Sequence, residues 1–271
     1  MNITAVNFNT PQRFNQFQSV EGLGVPKAQN KGPSKKIKYA AATGSFIGMS
    51  TALAHIAKRQ GFSLNPKVIK NTPIKDWAIF KIKNNNGKAP LMIEEKEILE
   101  LATGSVAGGW LAGAMTDSKN MKAKCREALT QIAGNVAVPV AFVGATARLY
   151  NKYENQIKSV MPQVKTHGKK SLKMLNKFSQ GLPAIAMTGV ALAAGIKAGS
   201  AVTNFINEKL FGQKKHRDIK ASDFAPHVDD LCLAITLMGS KDSAIANTIT
   251  RSVPLFLTVP GYQVGKAQEP V

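Results

Sequence analysis

The chain has 271 residues, which is long enough for one large domain or two small ones. Its 36 Lys and Arg residues against 16 Asp and Glu residues give a formal net charge of +20. A surplus of this size indicates an anionic partner, either phospholipid headgroups or nucleic acid, or else a surface charge that keeps the protein soluble. The two cysteines, Cys125 and Cys232, lie far apart and in no paired motif, which argues against a disulfide framework and against a cysteine zinc site.

The first segment, residues 1–38, is polar and basic, contains three prolines and has no sustained periodicity. We predict that it is a disordered leader, followed by a helical membrane-associated domain over residues 39–271. The leader lacks the order of basic, apolar and small residues that marks a cleavable signal peptide. We therefore expect the first apolar helix to act as its own insertion signal in a multi-pass membrane protein.

Four uncharged stretches follow the leader and predict helices that cross a bilayer. They cover residues 39–57, 101–116, 128–147 and 178–196, which is 19, 16, 20 and 19 residues. A bilayer core needs about 20 apolar residues in a helix, so three stretches fit and one is short. The fold class is therefore predicted as all-α, a polytopic helical membrane bundle with about four spans.

Two smaller elements complete the predicted architecture. Within the extramembrane loop 61–100, residues 77–83 and 88–93 alternate like strands on either side of an Asn- and Gly-rich turn, which predicts a small β-hairpin. Residues 231–240 and 243–265 predict a C-terminal helical hairpin. Pro254 and Pro260 predict that its second arm is kinked.

Residues 149–177 form a basic amphipathic segment. Apolar side chains recur there at helical spacing among many lysines. Such helices lie in the headgroup plane of an anionic lipid membrane, with the apolar face towards the acyl chains. The alternative is a solvated helix that packs one face on the bundle.

Small side chains recur at every fourth position inside the uncharged stretches. Residues four apart share a helix face, and a face of Gly and Ala lets two backbones approach closely in lipid. In water, each Gly inside a helix costs about 1 kcal/mol relative to Ala, so the pattern favours a membrane. The predicted helix-packing residues are Gly44, Gly48, Gly104, Gly108, Gly109, Gly113, Ala137, Ala141, Gly195 and Gly199.

No sequence motif points to catalysis. The chain contains no phosphate-binding loop, dinucleotide-binding turn, zinc-protease helix or nucleophile elbow, so we expect no catalytic residue, cofactor or metal and no enzyme. Asp223, His227, Asp229 and Asp230 fall within eight residues and offer ligands for a divalent cation. Acids at a helix start explain these carboxylates better, because they complement the helix dipole, and Glu94, Glu95 and Glu97 are explained in the same way.

We therefore expect a non-enzymatic structural or interaction protein whose helices associate through the Gly and Ala faces, with a homo-oligomer or other membrane helices as partners. One alternative is a small channel or transporter, which needs Gln131, Asn135, Pro139 and Lys197 to converge inside the bundle. The ammonium of Lys197 alternatively snorkels to the membrane surface. Another alternative is a soluble basic helical interaction module.

Two further questions concern the basic residues. Binding to nucleic acid is not favoured, because these residues are spread over every polar segment and aromatics make up only 7% of the chain. The Lys and Arg residues divide about evenly between the two sides of the predicted membrane, so they give no orientation.

Overall fold

The computed structural model describes residues 32–73, 93–165, 167–212, 218–228 and 252–269. Every regular element in these ranges is helical. The α-helices are α1 (Lys35–Arg59), α2 (Pro66–Asn71), α3 (Glu95–Thr116), α4 (Met121–Leu129), α5 (Val138–Ser159), α6 (Lys170–Phe211) and α7 (Thr258–Gly265). Two 3-10 helices cover Ser118–Asn120 and Ala221–His227, and a π-helix covers Thr130–Ala137.

Several predicted segments lie outside the described residues. They are residues 1–31 of the leader, the β-hairpin apart from Ile93, and the first arm of the C-terminal hairpin at 231–240. The second arm is described from residue 252, where it is helical over 252–256 and over α7, with a turn at Leu257 between them. Helix α1 begins at Lys35, so the last four residues of the predicted leader, 35–38, are helical.

Local side-chain contacts fix where the first two long helices begin. The Ser34 hydroxyl accepts a hydrogen bond from the backbone N–H of Ile37 at 3.4 Å and so caps α1. At the start of α3, the Glu97 carboxylate accepts the backbone N–H of Glu94 at 3.2 Å within a capping box. The glutamates before the second uncharged stretch therefore serve the helix start, as predicted.

Helices α1 and α3 form an antiparallel pair. Gly44 meets Gly108, and Gly48, one turn later along α1, meets Gly104, one turn earlier along α3. Helix α7 packs against both, and runs parallel to α3. These three helices therefore pack together as one group.

Two very long helices pack beside this group. Residues 118–159 run through a 3-10 turn, α4, the π-helix and α5 as one stretch of 42 residues, and α6 also has 42 residues. At 1.5 Å per residue each is about 63 Å long, which is twice the thickness of a bilayer core. They pack antiparallel, because Gly134 meets Gly199 while Pro139 meets Gly195.

Three helical stretches are long and apolar enough to cross a membrane: Glu95–Thr116, Ser118–Ser159 and Lys170–Phe211. Helix α1 contains the first predicted span and has the necessary length, but it is not one of the three. Thr43, Ser50, Thr51 and His55 make it more polar than the others. The predicted count of about four spans is therefore not reached by length and composition in the described part of the chain.

A small hydrophobic core lies between α1, α3, the π-helix and the C-terminal helical segment. It is built at the end of the bundle where α1 finishes and α3 begins. Its buried members are Met49, Ala52, Ile56, Ile98, Leu101, Ala102, Val136, Val253 and Leu257.

Candidate functional site

The contact between α1 and α3 is made by backbone, with almost no side chain between the helices. Gly44 and Gly48 on α1 lie against Gly104 and Gly108 on α3. A methyl group added to Gly104 would lie 2.7 Å from the carbonyl oxygen of Gly48, and one added to Gly48 would overlap the carbonyl oxygen of Gly104. Four of the predicted helix-packing glycines therefore meet at a single crossing.

A second glycine contact joins α3 to α7 on the adjacent face of α3. Gly109 lies against Gly261, and Gly113 lies against Gly265, so the two helices stay in register over a full turn. A methyl group on Gly113 would lie 2.7 Å from the Cα of Gly265. The two glycines of α3 are among the predicted packing residues, whereas Gly261 and Gly265 are not. Their spacing of four residues is the pattern that could have predicted them, but Pro260 directly before Gly261 argued against a regular helix there.

A hydrogen-bonded pair of serines holds these three helices together. The Ser45 and Ser105 hydroxyls lie 2.8 Å apart and are fully buried. Ser45 donates to the backbone carbonyl of Thr258, and Ser105 accepts the N–H of Gly261 at 3.2 Å. Each hydroxyl thus bonds α7 as well as its partner helix, so neither buried hydroxyl is without a partner.

The third glycine contact joins the 118–159 helix to α6. Gly199 lies against the backbone carbonyl of Gly134, and a methyl group on Gly195 would lie 2.7 Å from the Cα of Pro139. The predicted packing residues Gly195 and Gly199 therefore occupy a helix crossing.

The prediction is wrong for Ala141 in the third stretch. Ala141 is exposed and Ala137 is half-buried, whereas Gly134 and Pro139 are buried. The reason is the π-helix at Thr130–Ala137, which has more residues per turn than an α-helix, so positions four apart no longer share a face. Ala141 is therefore not a helix-packing residue, and the buried face runs through Gly134 and Pro139.

A buried polar cluster lies at the π-helix. The side-chain amide of Asn135 donates to the side-chain oxygen of Gln131 at 3.1 Å and to the Asp223 carboxylate at 2.8 Å. All three side chains are buried. Gln131 in turn donates to the Glu127 carboxylate at 2.7 Å. This chain of hydrogen bonds ties the π-helix to the 3-10 helix Ala221–His227.

Pro139 explains one contact in this cluster. In an α-helix the N–H of residue 139 would donate to the carbonyl of Asn135, but proline has no N–H. The Nε2 atom of the buried His227 lies 2.7 Å from that carbonyl oxygen and donates to it. A side chain from another element thus donates to a backbone carbonyl that lies four residues before a proline.

Asn207 on α6 extends the cluster. Its amide donates to the Thr130 hydroxyl at 3.2 Å, while its own carbonyl oxygen is buried and has no hydrogen-bond partner. An orphaned buried acceptor of this kind costs about 1–3 kcal/mol of stability.

The predicted carboxylate and imidazole group has a structural role where it is described. The Asp223 carboxylate accepts the backbone N–H of Lys220 at 2.8 Å, which supports the start of the 3-10 helix. No group of three or more His, Cys, Asp and Glu residues suited to a metal occurs in the described ranges. Asp229 and Asp230 lie outside those ranges.

An ion pair closes the bundle where α3 ends. Lys124 is fully buried, and its ammonium donates to the Asp117 carboxylate at 3.2 Å and to the Ala267 carbonyl at 2.9 Å. Burial raises the pKa of Asp117, but hydrogen bonds from Asn120 and Lys124 and the charge of Lys124 outweigh it and hold that pKa below its usual value. At the other end of the bundle, Arg59 pairs with Glu97 and Glu100, both at 2.7 Å.

The four residues proposed for a channel are not brought together. Gln131 and Asn135 bond each other in the interior, Pro139 packs on Gly195, and Lys197 is exposed on the outer face of α6. Gly195 and Gly199 are level with Pro139 and Gly134, so Lys197 lies level with the middle of stretch 128–147 and away from its ends.

The arrangement as described binds helix to helix, and its polar groups serve that packing. No protein-family model, curated protein or solved structure matches the chain, so the geometry alone carries the functional argument.

Proposed function

We propose that the chain is a multi-pass membrane protein with a structural or interaction role and no catalytic activity. Its three longest apolar helices cross the bilayer, and its glycine contacts hold the helices together. The proposal rests on which side chains face inward and which face outward.

The supporting observation is that small residues fill the helix crossings while large apolar residues face outward. Gly, Ala and Ser line the contacts between α1, α3 and α7. On the outside, within the uncharged stretches, lie the exposed side chains of Phe46, Ile47, Leu111, Met115, Phe142 and Val190. Met115 is 80% exposed and Val190 is 70% exposed.

Water would penalise this distribution, and lipid favours it. A soluble bundle buries its large apolar side chains, because their removal from water is the main driving force of folding. In a bilayer that force is absent between helices, so close backbone packing through small residues takes its place. The outward side chains then contact acyl chains.

Fractionation of the expressed full-length chain tests the proposal. We expect the protein to stay in the membrane pellet after an alkaline carbonate wash and to enter solution only with detergent. Release by carbonate alone would contradict membrane insertion and favour the soluble interaction module. An ion or solute flux in protein-loaded liposomes, absent from empty ones, would instead support a channel or transporter.

For the partner, we propose that anionic lipid headgroups bind the basic segment 149–177. Between residues 148 and 177 the chain carries eight Lys and Arg residues and one Glu. Leu149 and Tyr153 are exposed one turn apart on α5, and Val160, directly after its end, is exposed too. Met174 and Leu175 are exposed on α6 beside Lys173. Apolar side chains flanked by lysines on an exposed helix suit a membrane surface.

Liposome experiments test this partner. A fluorophore that senses polarity, attached at Leu175→Cys in a Cys125→Ser, Cys232→Ser background, should shift to the blue when phosphatidylglycerol is added to phosphatidylcholine liposomes. Replacing Lys169, Lys170, Lys173 and Lys177 by Gln should abolish that shift. The matched control replaces the exposed Lys67, Lys70, Lys119 and Lys122 by Gln and should leave it unchanged. An equal shift in neutral and anionic liposomes would contradict the proposal.

A further inference from the structure

The outer face of α6 carries a shallow groove of about 380 Å³. The residues that line it recur every three or four positions, so they share one helix face. They are Lys197, Ser200, Ala201, Asn204, Phe205 and Glu208, with Ile219 beside them. The groove thus has a cation at one end, an anion three turns away at the other end, and small or apolar side chains between them.

The glycine faces cannot receive another chain, because helices of the same chain already occupy them. Gly195 and Gly199 of α6 are covered by the π-helix and the start of α5. The opposite side of α6 is open, and Ala193, Ala201 and Phe205 are exposed there. The outer face of α6 is therefore a surface that remains available to a further partner.

The position of Lys197 restricts which kind of partner can bind this face. It lies level with the middle of the uncharged stretch 128–147, and no ion pair joins it to another residue in the described ranges. Inside a membrane-spanning segment, an ionisable residue pairs with an opposite charge or faces a polar interior. A partner for this face must supply an acidic group next to Lys197.

We propose that the groove binds the same groove of a second copy of this chain, with the two α6 helices antiparallel. A two-fold axis between Val202 and Thr203 places Lys197 opposite Glu208 of the second copy, and this ion pair forms twice. The same axis sets Ala201 against Asn204, and a small side chain there lets the helices approach closely. A parallel pair would instead set Lys197 against Lys197, which like-charge repulsion disfavours.

The inference deepens the proposed function by naming a partner, although the interface itself does not require a bilayer. Inside a bilayer, antiparallel α6 helices require two copies inserted in opposite orientations.

Charge reversal tests the interface. The full-length chain, purified in detergent, should be a dimer by light scattering. Lys197→Glu and Glu208→Lys should each weaken the dimer by about tenfold or more, since each creates two like-charge contacts. The double variant Lys197→Glu with Glu208→Lys should restore the dimer. Within one chain these residues are three turns apart, so rescue requires a contact between copies.

Two controls keep the test sharp. Lys173→Glu makes the same charge change on an exposed site of α6 outside the groove and should leave the dimer intact. In a Cys125→Ser, Cys232→Ser background, mixing the Ala201→Cys and Asn204→Cys chains should give a disulfide between the two variants. That test works even if the charge variants fail to fold.

A monomeric wild-type chain, a double variant that stays weak, or crosslinks confined to identical positions would each overturn the proposal. Failure of membrane insertion is a separate result. A chain that carbonate releases but that still shows charge-reversal rescue would contradict the proposed membrane role and retain the interface. A monomer that resists the carbonate wash would retain the proposed membrane role and contradict the interface.

Discussion

Gly48 and Gly104 meet backbone to backbone where α1 crosses α3, and neither position has room for a methyl group. The neighbouring pair, Gly44 and Gly108, repeats the contact one turn away. The closeness of the two helices therefore depends on residues that have no side chain.

Gly48→Ala should destabilise the fold, because the new methyl group overlaps the Gly104 carbonyl and must push the helices apart. Overpacking of this kind costs about 1–3 kcal/mol. The matched control is Gly189→Ala on α6, where nothing lies within 4 Å of the added methyl group. That change should stabilise by up to about 1 kcal/mol, since Ala favours a helix. Equilibrium unfolding in mixed micelles measures both, and equal effects would contradict the packing role.

Removing the imidazole of His227 should leave the Asn135 carbonyl buried without its donor. His227→Ala should cost about 1–3 kcal/mol, plus the loss of packing. Pro139→Ala restores a backbone N–H to the helix and with it a donor for that carbonyl. In the double variant, the His227→Ala cost should therefore be smaller than in the wild-type background. A double-mutant cycle with no coupling would refute this account of the pair.

Breaking the buried ion pair at Lys124 should cost more than removing its cation. Asp117→Asn leaves a fully buried ammonium without its counter-charge, which costs about 3–5 kcal/mol. Lys124→Met removes the charge and keeps an apolar side chain of similar length, so it should cost less. Thermal unfolding at neutral pH compares the two, and the reverse order would contradict this prediction.

The same pair makes stability depend on acid. The pKa of Asp117 is lower in the folded chain than its ordinary value of 3.8. Its contribution is therefore fully present above pH 3.8 and is lost as the pH falls through the lower, folded value. Acid titration of the unfolding free energy should show a loss in this range for the wild type. Asp117→Asn should lack that component, and an unchanged acid profile would count against the assignment.

Two substitutions on the second helix pair test the effect of the π-helix. Gly199→Ala should destabilise by about 1–3 kcal/mol, because the methyl group overlaps the Gly134 carbonyl. Ala141→Leu should change stability by less than about 0.5 kcal/mol, because the side chain is exposed. If position 141 lay on the packing face, the larger leucine would be the more damaging change.

The sequence allowed most of the glycine contacts to be predicted, because α1, α3 and α6 are regular helices in which a four-residue period marks one face. Ala141 was misplaced because a π-helix changes that period, and a single sequence carries no clear sign of one. The partner of Asn135 was missed for another reason. His227 comes from a separate element, and only tertiary packing brings it to the carbonyl that Pro139 leaves open.

The position of Lys197 along the bundle could not be predicted from the sequence either. In the sequence it follows the uncharged stretch 178–196 directly, which suggests a position at a membrane surface. In the structure the crossing at Gly195 and Gly199 sets the register of α6, and Lys197 becomes level with residues 134–139. The register between two long helices is set by how they pack against each other. The composition of either helix alone does not reveal that register.

The position of α7 has a consequence for biosynthesis. Gly109 and Gly113 pack against residues 261 and 265, and the Lys124 ammonium donates to the carbonyl of residue 267. All three contacts form only after the end of the chain has been synthesised. While the ribosome is still making the preceding residues, α1 and α3 can already pair, but one flank of α3 stays uncovered. A nascent chain stalled before residue 252 should therefore be open to proteases and to quality-control factors, whatever the stability of the finished protein.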